Sequence, residues 1–403
     1  MMAMWRFAAL GAISLALLAQ TNELPPESLL LAKIKNHMME TLTRQPNYTC
    51  LETVERSRRD ASTRKYRLED TLRIEVALVD GKEMFAWPGS KQFEDRDFRD
   101  LIPTGTFGTG EFALYARSVF GTNAAVFVAR GEQSLGDRPT VRYDFQVPVS
   151  RSGFEIRTQD AHAVVGFQGS FHVDPQSLDL MRLEVIGEDL PPRLKLKSVS
   201  DRMDYARIRI GDGDFLLPDS SEVVLVDLNG EESRNRLRFT ACRQYTGQST
   251  LSFDDPEPPV GGGTQAVKVE LELPANLDLA LTLLDEIDVD KAAIGDPVRA
   301  QLYSDLKYKG HILASKGATA TGHVSRIERH PNFTVMGVIF TELESNTVHA
   351  RLDLHFDRIV GAETLTAGRG FVLNAPVMEH EGIVPLRTGR VRLMRGTLMF
   401  WRT

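Results

Sequence analysis

His349 and His355 stand on one face of a run, Val348 to Phe356, in which apolar and polar residues alternate without a fault, the pattern of a half-buried strand. Two imidazoles are a usual start for a transition-metal site, but six residues of extended chain put these roughly 20 Å apart, beyond the reach of one ion. His323, His330 and His380 lie on other segments. Neither His-Glu-x-x-His nor Cys-x-x-Cys spacing occurs among the nine histidines and two cysteines. No metal and no cofactor is expected. The acidic group Asp285, Glu286, Asp288 and Asp290 lacks the spaced glycine and closing glutamate of a helix-loop-helix calcium site, so it reads as a solvated face.

Phosphate and acyl chemistry find no better footing. Gly105, Gly108 and Gly110 precede a helical stretch, Glu111 to Val119, but no good strand leads into them and no lysine follows as in a phosphate-cradling loop. Pro103 to Gly110 reads instead as a flexible loop or a lid. Ser62-Thr63-Arg64-Lys65 sits in a charged stretch with nothing to desolvate the lysine, and no Gly-x-Ser-x-Gly exists. No catalytic residue is expected. A periplasmic hydrolase, assembled from distant strands, stands as the remote alternative.

The elements that must carry any site are clearer. The chain has 403 residues, 42% hydrophobic and 26% charged, which is globular composition long enough for two domains. Its net charge of −7 offers no field for a phosphate backbone, so nucleic acid is not an expected partner. Arg6, the apolar run Phe7 to Leu18 and the small Ala19 read as a signal peptide, residues 1–19, too short to span a bilayer. Export to the periplasm or cell envelope follows, with no membrane span after cleavage. In that oxidising compartment Cys50 and Cys242 are expected to form a disulfide.

Leu30, Ile34, Met38 and Leu42 recur every fourth residue and mark a helix over 27–44. Period-two patterning then runs to about Phe253. Its clearest piece is a hairpin in which Ala206, Ile208 and Ile210 alternate with arginines before the turn Gly211 to Asp214. Val223 to Val226 is apolar on both faces, which predicts cover by the helix of 27–44. The Pro-then-Gly stretch 254–266 can pack no core and reads as a linker between a first domain, 20–253, and an independent all-β second domain, 267–403. The fold class is mainly β: a curved antiparallel half-barrel with an N-terminal helix, plus a smaller β-barrel-like unit.

The helix followed by a long meander, with Phe171-His172-Val173-Asp174-Pro175-Gln176-Ser177-Leu178-Asp179-Leu180 turning one strand into the next, resembles the periplasmic lipoprotein-carrier and envelope-stress-sensor proteins. The second domain, through Gly295-Asp296-Pro297-Val298-Arg299-Ala300 and Lys316 to Val324, weakly resembles the β-barrel domain of conjugation and type IV secretion channel proteins. The first resemblance implies a hollow that holds acyl chains or amphipathic partners. Leu30, Ile34, Met38, Phe85 and Trp87 are its candidate lining residues. The expected function is a non-enzymatic envelope protein binding a lipid, lipoprotein or amphipathic partner. The alternative is a structural or assembly module contacting envelope proteins in a secretion or surface complex.

Overall fold

The computed structural model describes residues 25–63, 65–90, 93, 114–122, 124–158, 161–245, 269–361, 373, 376–387 and 392–403. The expected signal peptide 1–19, the loop 103–110 and the linker 254–266 lie outside the described residues. Helix α1 (Pro26–Thr43) starts with a proline where the missing N–H costs nothing, and buries Ile34, Met38 and Leu42 along the stripe the spacing predicts. A second helix, α2 (Leu114–Phe120), buries Tyr115, Ala116, Val119 and Phe120.

The first domain is built on β1 (Tyr48–Arg59), β2 (Arg67–Val79), β3 (Lys82–Ala86), β4 (Val126–Leu135), β5 (Arg138–Val147), β6 (Glu155–Arg157), β7 (His162–Val164), β8 (Gly166–Val173), β9 (Leu180–Glu188), β10 (Leu196–Ile210), β11 (Gly213–Asp227) and β12 (Glu232–Gln244). Ten of them form one sheet in the order β3-β2-β1-β12-β11-β10-β9-β8-β5-β4, while β6 and β7 make a separate hairpin. Every pairing within that sheet is antiparallel. The first and last strands, β1 and β12, therefore meet in mid-sheet. A register shift between Thr49 and Leu51 lies beside Cys50, which bonds Cys242 as expected.

The second domain carries β13 (Val269–Glu270), β14 (Asp278–Leu283), β15 (Ile287–Asp288), β16 (Pro297–Leu302), β17 (Leu306–Tyr308), β18 (His311–Ala314), β19 (Thr319–Arg329), β20 (Phe333–Glu344), β21 (Val348–Arg351), β22 (His355–Val360), β23 (Gly382–Arg387), β24 (Arg392–Leu393) and β25 (Leu398–Arg402). Its main sheet runs β13-β21-β20-β19-β16-β14-β25-β22, with β23 paired to β20. The alternating run 348–356 is not one strand. It breaks at Leu352–Leu354 because β21 pairs with β20 whereas β22 pairs with β25, so the chain turns a corner that curls the sheet toward closure. The terminal Leu398 to Trp401 is a core strand between β14 and β22, with Trp401 packed edge-on to Phe340 and Phe356.

The cover expected over Val223 to Val226 is not α1. That helix packs with Tyr143, Phe145, Phe167 and Phe171 farther across the sheet. The two large sheets also meet directly. Strand β2 extends beyond β3, and its free edge bonds the 294 segment: Arg73 N–H donates to Ile294 O at 2.8 Å and Ile294 N–H to Thr71 O at 2.8 Å. Arg73 also grips Asp296 at 2.5 and 2.7 Å. Gly295, at φ +96°, lets these backbones approach, since a Cβ there would stand 2.0 Å from Arg73 O. Trp87 stacks on His323 across the same junction, with ring centroids 4.5 Å apart.

Candidate functional site

Strand register decides which side chains share the inner face of the first sheet. One in-register row reads Tyr143, Phe171, Leu183, Met203, Ser221, Leu237, Val54 and Leu72 across eight strands. The neighbouring row reads Phe145, Gly169, Val185, Asp201, Val223, Asn235, Arg56 and Asp70. Both rows are apolar at the β5 and β8 end, and the second turns polar toward β1 and β2. The inner face is thus graded: aromatic on one side, hydrogen-bonding on the other. At the polar end Arg56 meets Asp70 through two bonds of 2.5 and 2.6 Å, which satisfies both buried ions.

Helices α1 and α2 close the aromatic end. Ile34 and Met38 are fully buried there, Leu30 lies at its border, and Phe127, Tyr143, Phe145, Phe167 and Phe171 form the floor. Phe85 and Trp87 do not join them. They pack against the other core cluster, which runs into the second domain. The five residues expected to line one cavity are therefore divided three to two by the fold.

Polar contacts latch α1 to the sheet. His37 Nε2 lies 2.8 Å from Asp179, which also takes both bonds of a bidentate Arg207 at 2.7 Å. Burial pushes the Asp179 carboxyl up, but Arg207 and His37 outweigh it and hold the group below the usual carboxylate range. Tyr143 donates to Glu27 O at 2.8 Å, and Gln45 to Leu216 O at 3.0 Å. Arg117 of α2 donates to Leu42 O at 3.3 Å, tying the two helices together.

Between the aromatic and polar ends sit buried ionisable groups. Asp201 accepts from Ser221 at 2.6 Å through one oxygen, while its other oxygen and the Tyr205 hydroxyl have no hydrogen-bond partner among the described residues. Burial raises the Asp201 carboxyl to about 7, with the Ser221 hydrogen bond pulling the other way. Burial, aided by the nearby Glu83 charge, raises Glu52 to about 8. Near neutrality the inner face thus presents carboxyl groups that are wholly or partly protonated, able to donate to a carbonyl or carboxylate.

The sign of the resulting pH dependence follows directly. A carboxyl raised in the fold ionises first in the unfolded chain, so stability is full below about pH 4.5 and falls as pH climbs toward 8. Glu52→Gln is expected to stabilise the protein by on the order of 3 kcal/mol at pH 7 and by almost nothing at pH 4. Urea unfolding of both proteins at the two pH values checks this; equal gains at both would contradict it.

His172 and Thr140, 3.0 Å apart and buried, pair a hydroxyl with an imidazole. Thr140 sends its proton to Gln133 O at 2.9 Å, so the hydroxyl can only accept from the imidazole. That is the reverse of nucleophile activation. Three of the four acidic residues at 285–290 stand in ion pairs: Asp285 with Arg299, Glu286 with Arg392, and Asp288 with Lys291.

No family model matches the chain, and no curated protein matches it. Among solved structures, it is similar to an outer membrane lipoprotein-sorting protein domain from Vibrio parahaemolyticus, at 11% identity and a TM-score of 0.30, covering 54% of this chain and 95% of that one. It is also similar to a DUF1329 family protein from Desulfovibrio piger, at 12% identity and a TM-score of 0.29, covering 54% of this chain and 94% of that one.

Proposed function

We propose that this protein is an exported, non-catalytic envelope protein that holds the apolar part of a lipid, lipoprotein or amphipathic partner in the hollow of the first sheet, with α1 as a displaceable cover. One observation carries the reading. The aromatic floor is covered by two helices, and α1 is held over it by separable polar latches. An acyl chain can replace Ile34, Met38 and Leu42 at little net cost, because apolar burial is non-directional and scales with area. Lys35, 5.5 Å over the Phe127 ring, places a cation at the margin where an anionic headgroup would emerge.

The latch gives the test. Asp179→Asn weakens the grip of both His37 and Arg207, so the open form gains population and apparent affinity for an apolar ligand rises. Loss of about 1.4 kcal/mol of latching corresponds to about a tenfold gain. Fluorescence titration with cis-parinaric acid should show saturable binding to the parent and tighter binding to Asp179→Asn. Lipid should also be recovered by organic extraction of the purified protein. Absence of probe binding to both proteins, with no extracted lipid, would overturn the reading.

A further inference from the structure

The geometry points to a divalent transition-metal site, of the kind that takes zinc, on the second domain, formed by Asp353, His355 and His380. The ligand atoms of the three all lie within 4.8 Å of one another. His380 Nδ1 stands 2.5 Å from Asp353 Oδ1, and the two imidazole centroids are 5.1 Å apart. Donors around one tetrahedral zinc stand about 3.3 Å from each other, so small side-chain rotations complete the set. Two neutral imidazoles and one carboxylate match the borderline softness of zinc, and both Asp353 and His355 are exposed, leaving a coordination position open to water.

The pairing that the sequence invited, His349 with His355, is not the one the fold makes. His349 turns instead to Glu270 and Glu342. Asp353 and His355 flank the fully buried Leu354 and are both exposed at the sheet corner. His380 arrives from the turn before β23, with φ at +65°, a left-handed conformation uncommon for histidine.

That turn is held from below. The adjacent Glu381 is buried and accepts from Arg326 at 2.9 and 3.0 Å, from Ser325 at 2.8 Å and from Met378 N–H at 3.0 Å. Glu379 lies 3.6 Å from His380 Nε2, where it can orient the ring once Nδ1 binds the ion. The site is therefore preorganised on one side by a buried ion network and on the other by a strand end.

Zinc chloride titrated into the untagged protein, followed by calorimetry and by metal analysis after desalting, tests the inference. One zinc per chain is expected. Loss of an orienting partner alone weakens metal sites by about 10–100-fold, so His355→Ala and His380→Asn should each weaken binding by at least about a hundredfold. Asparagine tolerates the left-handed conformation, which keeps the second variant folded. Matching melting curves for the metal-free proteins verify this, and exposed His311→Ala, elsewhere on the domain, should bind like the parent. Absence of zinc binding to the parent, or undiminished binding in both folded variants, would overturn the site.

Discussion

Replacing Cys50 and Cys242 together by alanine is expected to cost about 5 kcal/mol of unfolding free energy, the largest single effect anticipated for this chain. The bond joins residues 192 positions apart, and in the chain-entropy model the restraint it imposes on the unfolded chain grows with the logarithm of that separation. It also sits where β1 and β12 meet in mid-sheet, so the strands bearing it belong to the core rather than to a fraying edge. Cys50 is fully buried, and the vacated volume adds a cavity term to the loss. Urea denaturation of the oxidised parent and the double variant should show a much lower midpoint and a steeper slope for the variant, whose unfolded chain is no longer cross-linked. A difference below about 1 kcal/mol would show that the native pairing of β1 with β12 suffices without the bond.

The second large effect concerns Arg326. Its guanidinium bonds Glu381 and Glu328 and reaches Pro376 O, and all three ionic side chains are buried. Arg326→Met leaves the buried Glu381 and Glu328 carboxylates without their shared counter-ion, and is expected to destabilise the protein by about 3–5 kcal/mol. Glu381→Leu, which leaves Arg326 paired with Glu328, should cost less. The double variant Arg326→Met with Glu381→Leu should cost clearly less than the sum of the two, because the second change relieves the charge that the first exposed. Chemical denaturation of the three variants measures the coupling. Strict additivity would mean that the network contributes no pairwise energy.

Much of the frame is legible in the residues. The four-residue spacing of Leu30, Ile34, Met38 and Leu42 gives α1, and the Gly211-Asp212-Gly213-Asp214 turn gives the β10–β11 hairpin in register. The bond between Cys50 and Cys242 is the one expected from an even cysteine count and a leader read as an export signal. What stays hidden depends on which strands become neighbours. Trp87 and Phe85 look like cavity lining until β2 is seen to extend past β3 and offer its edge to Ile294.

Strand β1 illustrates the ambiguity. Tyr48, Cys50, Glu52, Val54 and Arg56 share one parity, and the opposite parity, Thr49, Leu51, Thr53 and Glu55, is hardly more polar. Neither set announces itself as inward, so Glu52 and Arg56 pass for surface charges. In β10 the signal is present: Asp201 falls on the parity of Val199 and Met203, a charged residue where alternation calls for an apolar one. Such a position marks a buried polar group that needs a partner. The meeting of His380 with His355 has no counterpart in spacing, because 25 residues and a corner between sheet partners separate them.

Burial of His323 adds a pH term opposite in sign to that of Glu52. Desolvation lowers its imidazole to about 4, so the folded chain refuses a proton that the unfolded chain takes below about pH 6.5. Stability carried by the Trp87–His323 junction is therefore present above pH 6.5 and lost as pH falls toward 4.

Hydrogen exchange along residues 26–43, with and without saturating palmitate, bears most directly on the hollow. Ligand entering beneath α1 should accelerate exchange in that helix while slowing the amides of β5 and β8 that border the aromatic floor. Palmitate bound with α1 unchanged, or no palmitate bound at all, would show that the helix is a permanent part of the core.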